Sequence, residues 1–201
     1  MTRRFSGTQL VIATHNRGKL DEFAQLLAPL GITCTSAGNL GLPEPEETES
    51  TFLGNARIKA HAAARATNLP ALSDDSGLTV DALDGAPGVY TADWATTPTG
   101  RDFVHAMEKT HAALAGHPQP WTAQFRCTLV LAWPDGHDEW VEGTAPGRLV
   151  WPRRGQDGHG YDPMFQPDGQ TRTFAELSAA EKNAISHRGQ AVARMLAKCF
   201  T

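Results

Sequence analysis

Leu10-Val11-Ile12-Ala13-Thr14-His15-Asn16-Arg17-Gly18-Lys19-Leu20 is an apolar run, a polar turn with one glycine, and the start of a helical pattern. Leu10 to Ala13 reads as a buried strand. From Leu20 onward the apolar residues Leu20, Phe23, Leu26, Leu27 and Leu30 fall on one helical face. Strand, polar turn and helix in that order set a loop at a helix N-terminus, where unpaired backbone N–H groups favour an anion. This arrangement predicts an α/β fold with ligand chemistry at a strand end.

The pattern recurs along the chain. The acidic, Pro-punctuated stretch Gly41 to Glu49 reads as a loop, and Ser50 or Thr51 is placed to cap a helix through the Ala-rich segment Asn55 to Ala66. Leu69 to Leu72 reads as a short buried strand ending in Ser73-Asp74-Asp75-Ser76-Gly77. Gly85 to Gly88 reads as a loop and Arg101 to Ala115 as a helix. Trp121 to Trp133 reads as a strand of the central sheet, Pro134-Asp135-Gly136 as a turn, and Glu139 to Thr144 as the hairpin partner. Gly155 to Pro163 is a Gly-rich loop, and Ser178-Ala179-Ala180-Glu181 is a capping box. Ser186 is placed to cap a last helix, whose stripe Val192, Met195, Leu196 and Cys199 reads as core or subunit contact. No internal repeat or linker interrupts the 201 residues, so one α/β unit is expected.

Composition narrows the class. The chain is 40% apolar with a net charge of −4, which excludes a disordered chain and a general polyanion binder. Cys34, Cys127 and Cys199 have neither a zinc spacing nor a disulfide framework, and Cys127 in its apolar run reads as a buried thiol. Arg3-Arg4 is followed by only a short apolar run, unlike an export signal, and nothing approaches the ~20 apolar residues of a membrane span. A cytoplasmic protein with no membrane or nucleic-acid partner is expected.

Cations recur in polar turns: Lys19, Lys59, Lys182, His187 and Arg188. Carboxylates recur as well: Glu46-Glu47, Asp74-Asp75 and Asp162. Lys and Arg neutralise phosphoryl oxygens, whereas carboxylates repel them unless a hard divalent cation lies between. The combination points to a metal-dependent phosphoryl site. Each part also has an ordinary reading: a lysine turn as a solvated helix start, the acidic loop as solvated surface, Asp-Asp-Ser-Gly as a turn signal. Ser76 lacks a nucleophile elbow and the eight histidines lack a zinc spacing.

Taken together, Thr14-x-Asn16-x-x-Lys19, Ser73-Asp74-Asp75-Ser76-Gly77-Leu78, Gly160-Tyr161-Asp162-Pro163 and Glu181-Lys182-Asn183-Ala184-Ile185-Ser186-His187-Arg188-Gly189 are more specific than any one of them. In this order they resemble the inosine/xanthosine triphosphate pyrophosphatase family, which clears non-canonical purine nucleotides. Glu46-Glu47-Thr48, Asn55-Ala56, Lys59-Ala60 and Gly85 to Tyr90 match as well, so the resemblance runs from about Leu10 to the carboxyl end. It implies an elongated mixed sheet flanked by helices, two lobes with the nucleotide in a cleft between them, and a homodimer. It also implies Mg²⁺-dependent hydrolysis of ITP, dITP and XTP to monophosphate and pyrophosphate.

By position, Thr14, His15, Asn16, Arg17, Gly18 and Lys19 would hold the phosphates. Glu47 and Asp75 would engage Mg²⁺, with Asp74 as a possible further ligand, and Asp75 resembles the general base. Lys59 and Ser76 would contact phosphates or sugar. His159, Gly160, Tyr161, Asp162, Lys182, His187 and Arg188 resemble the residues around the base. A 6-oxo purine presents an acceptor where adenine presents a donor, which gives Lys182 or Arg188 the means to discriminate. Two positions depart from the family's usual pattern. His159 stands where it carries Phe, offering less stacking area and a titratable ring, so base affinity is expected to vary with pH near neutrality. Asp93 stands where relatives carry Arg. Two other readings are a pyrophosphatase for another modified nucleotide and a nucleotide-binding regulator without catalysis.

Overall fold

The computed structural model describes residues 2–200, with side chains at positions 18, 22, 25 and 26 outside that description. Gly18 and Leu26 of the sequence reading fall among those four. Strand β1 (Gln9–Ile12) leads into helix α1 (Arg17–Leu27), then β2 (Thr33–Ser36), α2 (Phe52–Thr67) and β3 (Ala71–Val80). The short strands β4 (Thr96–Thr97) and β5 (Gly100–Arg101) precede α3 (Phe103–Ala113), β6 (Trp121–Ala132) and β7 (Asp138–Leu149). Strand β8 (Phe165–Pro167) and helices α4 (Ala179–Ile185) and α5 (His187–Met195) complete the order.

The main sheet is six-stranded, in the order β2-β1-β3-β6-β7-β8, and mixed. Strand β1 runs parallel to β2, with Leu10 opposite Cys34, and parallel to β3, with Ile12 opposite Leu72. Strands β7 and β8 are antiparallel, with Arg148 opposite Gln166. The chain groups into two compact units. The first comprises Met1–Asp75, Thr128–Glu142 and Val192–Thr201; the second comprises Ser76–Cys127 and Gly143–Ala191.

In the first unit, small side chains let α2 lie close to the sheet: Ala56, Ala60, Ala63 and Ala64 pack with Val11, Ala71, Val130 and Ala132. Leu72 lies instead among Phe23, Leu27, Leu129 and Val192. Successive strand residues point to opposite faces, so odd positions of early β3 meet α2 and even ones meet α1. The stripe read in the last helix is mostly core: Val192 and Met195 of α5 and Cys199 beyond it are buried, and Leu196 is half-buried. In the second unit, Phe125, Phe165 and Phe174 form an aromatic centre, with Phe125 and Phe165 edge to face at 4.7 Å.

Most expected elements are present. Thr51, not Ser50, caps α2, its hydroxyl accepting from the Gly54 amide at 3.0 Å. Ser178 and Glu181 form the capping box of α4, and the Ser186 hydroxyl accepts from the Gly189 amide at 3.0 Å. Cys127 is fully buried. Two expectations are corrected. Leu30 is exposed, because Pro29 turns the helix end into a 3₁₀ turn that Gly31 closes at φ +71°. The strand read as ending at Leu72 runs on to Val80, so Ser73 to Gly77 is strand and not turn. The turn propensity of Asp-Asp-Ser-Gly yields because these polar groups find partners inside; Ser73, for one, donates its hydroxyl to the Ala56 carbonyl at 2.6 Å. No helix among the described residues is long and apolar enough to cross a membrane.

Candidate functional site

The first unit gathers five charged side chains. Asn16 caps α1, its side-chain oxygen accepting from the Lys19 amide at 3.2 Å, while the Thr14 hydroxyl accepts from the Asn16 amide at 3.1 Å. These bonds fix the turn so that Lys19 leaves the first turn of α1 toward β3. Its ammonium donates to both Asp74 oxygens at 2.9 Å. On the α2 side, Lys59 donates to Glu47 Oε1 at 2.9 Å and to Asp75 Oδ1 at 3.2 Å. Thr14, Asn16 and Lys19 with Asp74, and Glu47 and Lys59 with Asp75, thus form two neighbouring sets within one unit.

Asp74 and Asp75 are both buried in mid-strand. Burial pushes the Asp75 carboxyl up to about 6; Lys59 opposes that rise, while Glu47 and Asp74 add to it. Burial works against the Lys59 ammonium, yet Asp75, Asp74 and Glu47 outweigh it and leave its pKa raised. Asp75 Oδ2 is buried and has no hydrogen-bond partner among the described residues. Such an oxygen is costly unless something else binds it.

The acidic loop that carries Glu47 is fastened at both ends. His15 Nε2 lies 2.8 Å from the Leu42 carbonyl oxygen, and the Glu49 amide donates to Asn55 Oδ1 at 2.9 Å. Asn55 is 2% exposed, and the sequence reading gave it no site role. Its signal was an amide side chain in an otherwise Ala-rich helix, pointing where only alanine should fit. His15 therefore serves the loop, while Arg17 at the start of α1 is exposed.

The second unit holds the other set. The Lys182 ammonium lies 2.5 Å from Asp162 Oδ2, which also accepts from the His159 amide at 2.6 Å. The Lys182 ammonium sits 5.5 Å from the centre of the Phe174 ring, a cation–π contact. His187 is buried and stacked on Phe125 at 4.9 Å, 13° from parallel. Gly158 and Gly160 have φ of +82° and +65°, and a Cβ on Gly158 would run into the Asp162 carboxylate. That loop therefore needs glycine at 158 to bring its backbone against Asp162.

The His159 residue is exposed, whereas Tyr161 is 1% exposed, edge-on to Phe103 at 6.0 Å with its hydroxyl directed at the Thr91 carbonyl. Burial pushes the Tyr161 hydroxyl up to about 12. Tyr161 thus anchors its loop through the core. Arg188 is half-buried at the start of α5, Ser76 half-buried in β3, and Asp93 exposed. Phe125 and Phe174, which seat His187 and Lys182, had no distinguishing signal in the sequence beyond being apolar.

Glu47 and Asp75 are suited to a hard divalent cation. Mg²⁺ commonly takes one or two carboxylates and completes its shell with water and phosphate oxygens. Among the described residues no group of three or more His, Cys, Asp or Glu forms a protein-only metal cage. Two carboxylates that share one ammonium, with one carboxylate oxygen buried and unbonded, match the two-carboxylate arrangement.

A dITP/XTP pyrophosphatase of Ruegeria pomeroyi is 66% identical over 202 residues, covering 100% of this chain and 99% of the relative. Another of Gluconobacter oxydans is 57% identical, covering 100% and 95%. A solved HAM1 protein from Coxiella burnetii superimposes with a TM-score of 0.88 at 40% identity, covering 94% of this chain and 96% of that one. The sequence profile of the Ham1 family matches residues 10–198, from the first strand through the last helix, and the chain belongs to the Ham1 family.

Proposed function

We propose that this protein hydrolyses non-canonical purine nucleoside triphosphates, ITP, dITP and XTP, to the monophosphate and pyrophosphate. The observation that carries the reading is the pairing of Glu47 and Asp75 on one ammonium, beside the pair of Lys19 from the start of α1 with Asp74 of β3. Full-length relatives that bear the name dITP/XTP pyrophosphatase support it.

The triphosphate is held by Lys19, by Lys59 and by the N-terminal turn of α1, whose dipole favours negative charge. Glu47 and Asp75 would hold Mg²⁺, which supplies charge neutralisation on phosphoryl oxygens and a more acidic water. Asp75 orients the attacking water and takes its proton. In the metal-free protein burial raises the Asp75 carboxyl to about 6. The water oxygen bonds to phosphorus as the α–β phosphoanhydride bond breaks, and pyrophosphate leaves.

Lys182 reads the purine 6-oxo group. Asp162 and Phe174 hold its ammonium in place, so the donor is ordered before the base arrives. Against adenine the same donor faces an amino group, and a buried donor left unpaired costs about 1–3 kcal/mol. A homodimer, Mg²⁺ as the physiological ion and a cytoplasmic setting belong to this proposal. The test is a panel of initial rates on ITP, dITP, XTP, ATP and GTP with Mg²⁺. Preference for the first three supports the proposal, and equal turnover of ATP overturns it.

A further inference from the structure

We infer that Lys59 is an internal cation that occupies the metal's place in the metal-free protein, and that it gives up Glu47 and Asp75 when the divalent cation binds. The inference rests on the proposed function, since it concerns the same carboxylates.

The geometry is specific to Lys59. Its ammonium bridges two carboxylates from separate elements, the acidic loop and β3, at 2.9 and 3.2 Å. A point between two such carboxylates is where a divalent ion is held, at about 2.0–2.1 Å from each oxygen for Mg²⁺, so the two cations exclude each other there. Lys59 is itself only 11% exposed, which makes this a built ion pair rather than a transient surface contact. Lys19 is not equivalent. It grips both oxygens of Asp74 on the α1 face and touches neither Glu47 nor Asp75 in the contacts described.

Charge gives the exchange its direction. In the contacts described, the three carboxylates of Glu47, Asp74 and Asp75 face two ammonium groups, those of Lys19 and Lys59. A divalent ion more than offsets the carboxylates' excess, turning a net −1 into +1, and the released ammonium becomes available to phosphate oxygens. There is room for the movement. A cavity of about 80 Å³ adjoins Lys59, lined among others by Ala13, Ala62, Ala63 and Glu44. The lysine stem can shift along the small side chains of α2 without disturbing the core, and Glu44 offers a new counter-charge on the way.

Lys59 therefore does two things at once. It keeps two like charges from repelling each other before the metal arrives, and it sets how much metal is needed to load the site. Removing it leaves Glu47 and Asp75 without a shared cation, so the metal meets no competitor.

The test is calorimetric titration of MgCl₂ into the nucleotide-free full-length protein, comparing wild type, Lys59→Met, Lys59→Gln and Glu47→Gln. Both Lys59 variants are expected to bind Mg²⁺ about tenfold tighter than wild type, and Glu47→Gln weaker. Equal or weaker binding in both Lys59 variants overturns the inference. A second readout uses the unaltered protein: the side-chain NMR signal of Lys59 in ¹³C-lysine-labelled material shifts on addition of Mg²⁺ alone. A signal that stays in place while the protein binds Mg²⁺ overturns the inference too. Wild-type pyrophosphate release from ITP is measured in parallel. Its absence, with the exchange intact, counts against the proposed function alone; its presence without the exchange counts against Lys59 alone.

Discussion

Asp74 and Asp75 are neighbours in the chain but belong to different ion pairs. Asp74 is held by Lys19 from α1 and Asp75 by Lys59 from α2, because consecutive residues of β3 point to opposite faces of the sheet. The roles of the two carboxylates follow. Under the proposed function, Asp74 would order the phosphate-binding Lys19, and Asp75, which shares its cation with Glu47 and keeps one oxygen unbonded, would serve metal and water.

An ionised Asp75 costs the metal-free protein stability. Its folded pKa of about 6 lies above the ordinary 3.8, so the carboxyl favours the fold when protonated and loses that advantage as pH rises from about 4 through 6. Asp75→Asn should therefore stabilise the metal-free protein at pH 7.5 by about 1–2 kcal/mol and make no difference at pH 4. The same variant should abolish pyrophosphate release. Thermal melts at the two pH values check the first statement and an ITP assay the second.

Asn55 positions the loop that carries Glu47. Asn55→Leu removes the acceptor of the Glu49 amide and should cost about 1–3 kcal/mol of stability. It should also raise the Mg²⁺ concentration needed for half-maximal rate more than it lowers kcat. Asn55→Asp keeps the acceptor oxygen and should restore most of the metal response.

Lys182→Met leaves the buried Asp162 carboxylate with the His159 amide as its remaining donor among the contacts described. The ratio of kcat/KM for ITP over ATP should fall by roughly 10- to 100-fold, the range that one lost polar contact can account for. Rates measured with both nucleotides check this, and an unchanged ratio would mean that Lys182 does not read the base.

Several elements were legible because their signals are local. The apolar run at Leu10, the Thr51 cap and the Ser178 box each depend on residues a few places apart. The end of β3 was not legible, since Asp-Asp-Ser-Gly has turn propensity and only distant partners, such as Lys19, Lys59 and Ala56, make a strand affordable there. The positions of Phe125 beneath His187 and Phe174 beneath Lys182 were hidden for the same reason. Both are ordinary apolar residues until the chain brings a cation or a ring onto them.

Glu139 ties residues near both chain ends, Arg3 and Lys198, to the start of β7. Burial alone would push its carboxyl up, but Lys198, the Arg3 amide and His137 outweigh that and hold it at about 2. A depressed carboxyl contributes stability above its unfolded pKa of 4.5 and loses it as pH falls through about 2. Glu139→Gln should cost about 1–2 kcal/mol at pH 7, and the difference should shrink between pH 4.5 and 2. Urea unfolding across that range measures it.

Gly143 is required by packing. A Cβ there would run into the His187 carbonyl and the Ala191 amide nitrogen. Gly143→Ala should destabilise by about 1–3 kcal/mol and shift the first turn of α5, and with it the stacking of His187 on Phe125. The loss should appear as a lower Tm together with a higher KM.

Quantifying pyrophosphate and orthophosphate separately from ITP, with and without Mg²⁺, most directly tests the account of Glu47, Asp75 and the two lysines. One pyrophosphate per IMP, no orthophosphate, and no turnover without the metal or in Asp75→Asn is the predicted result. Release of orthophosphate with IDP, or full turnover by Asp75→Asn, would contradict it.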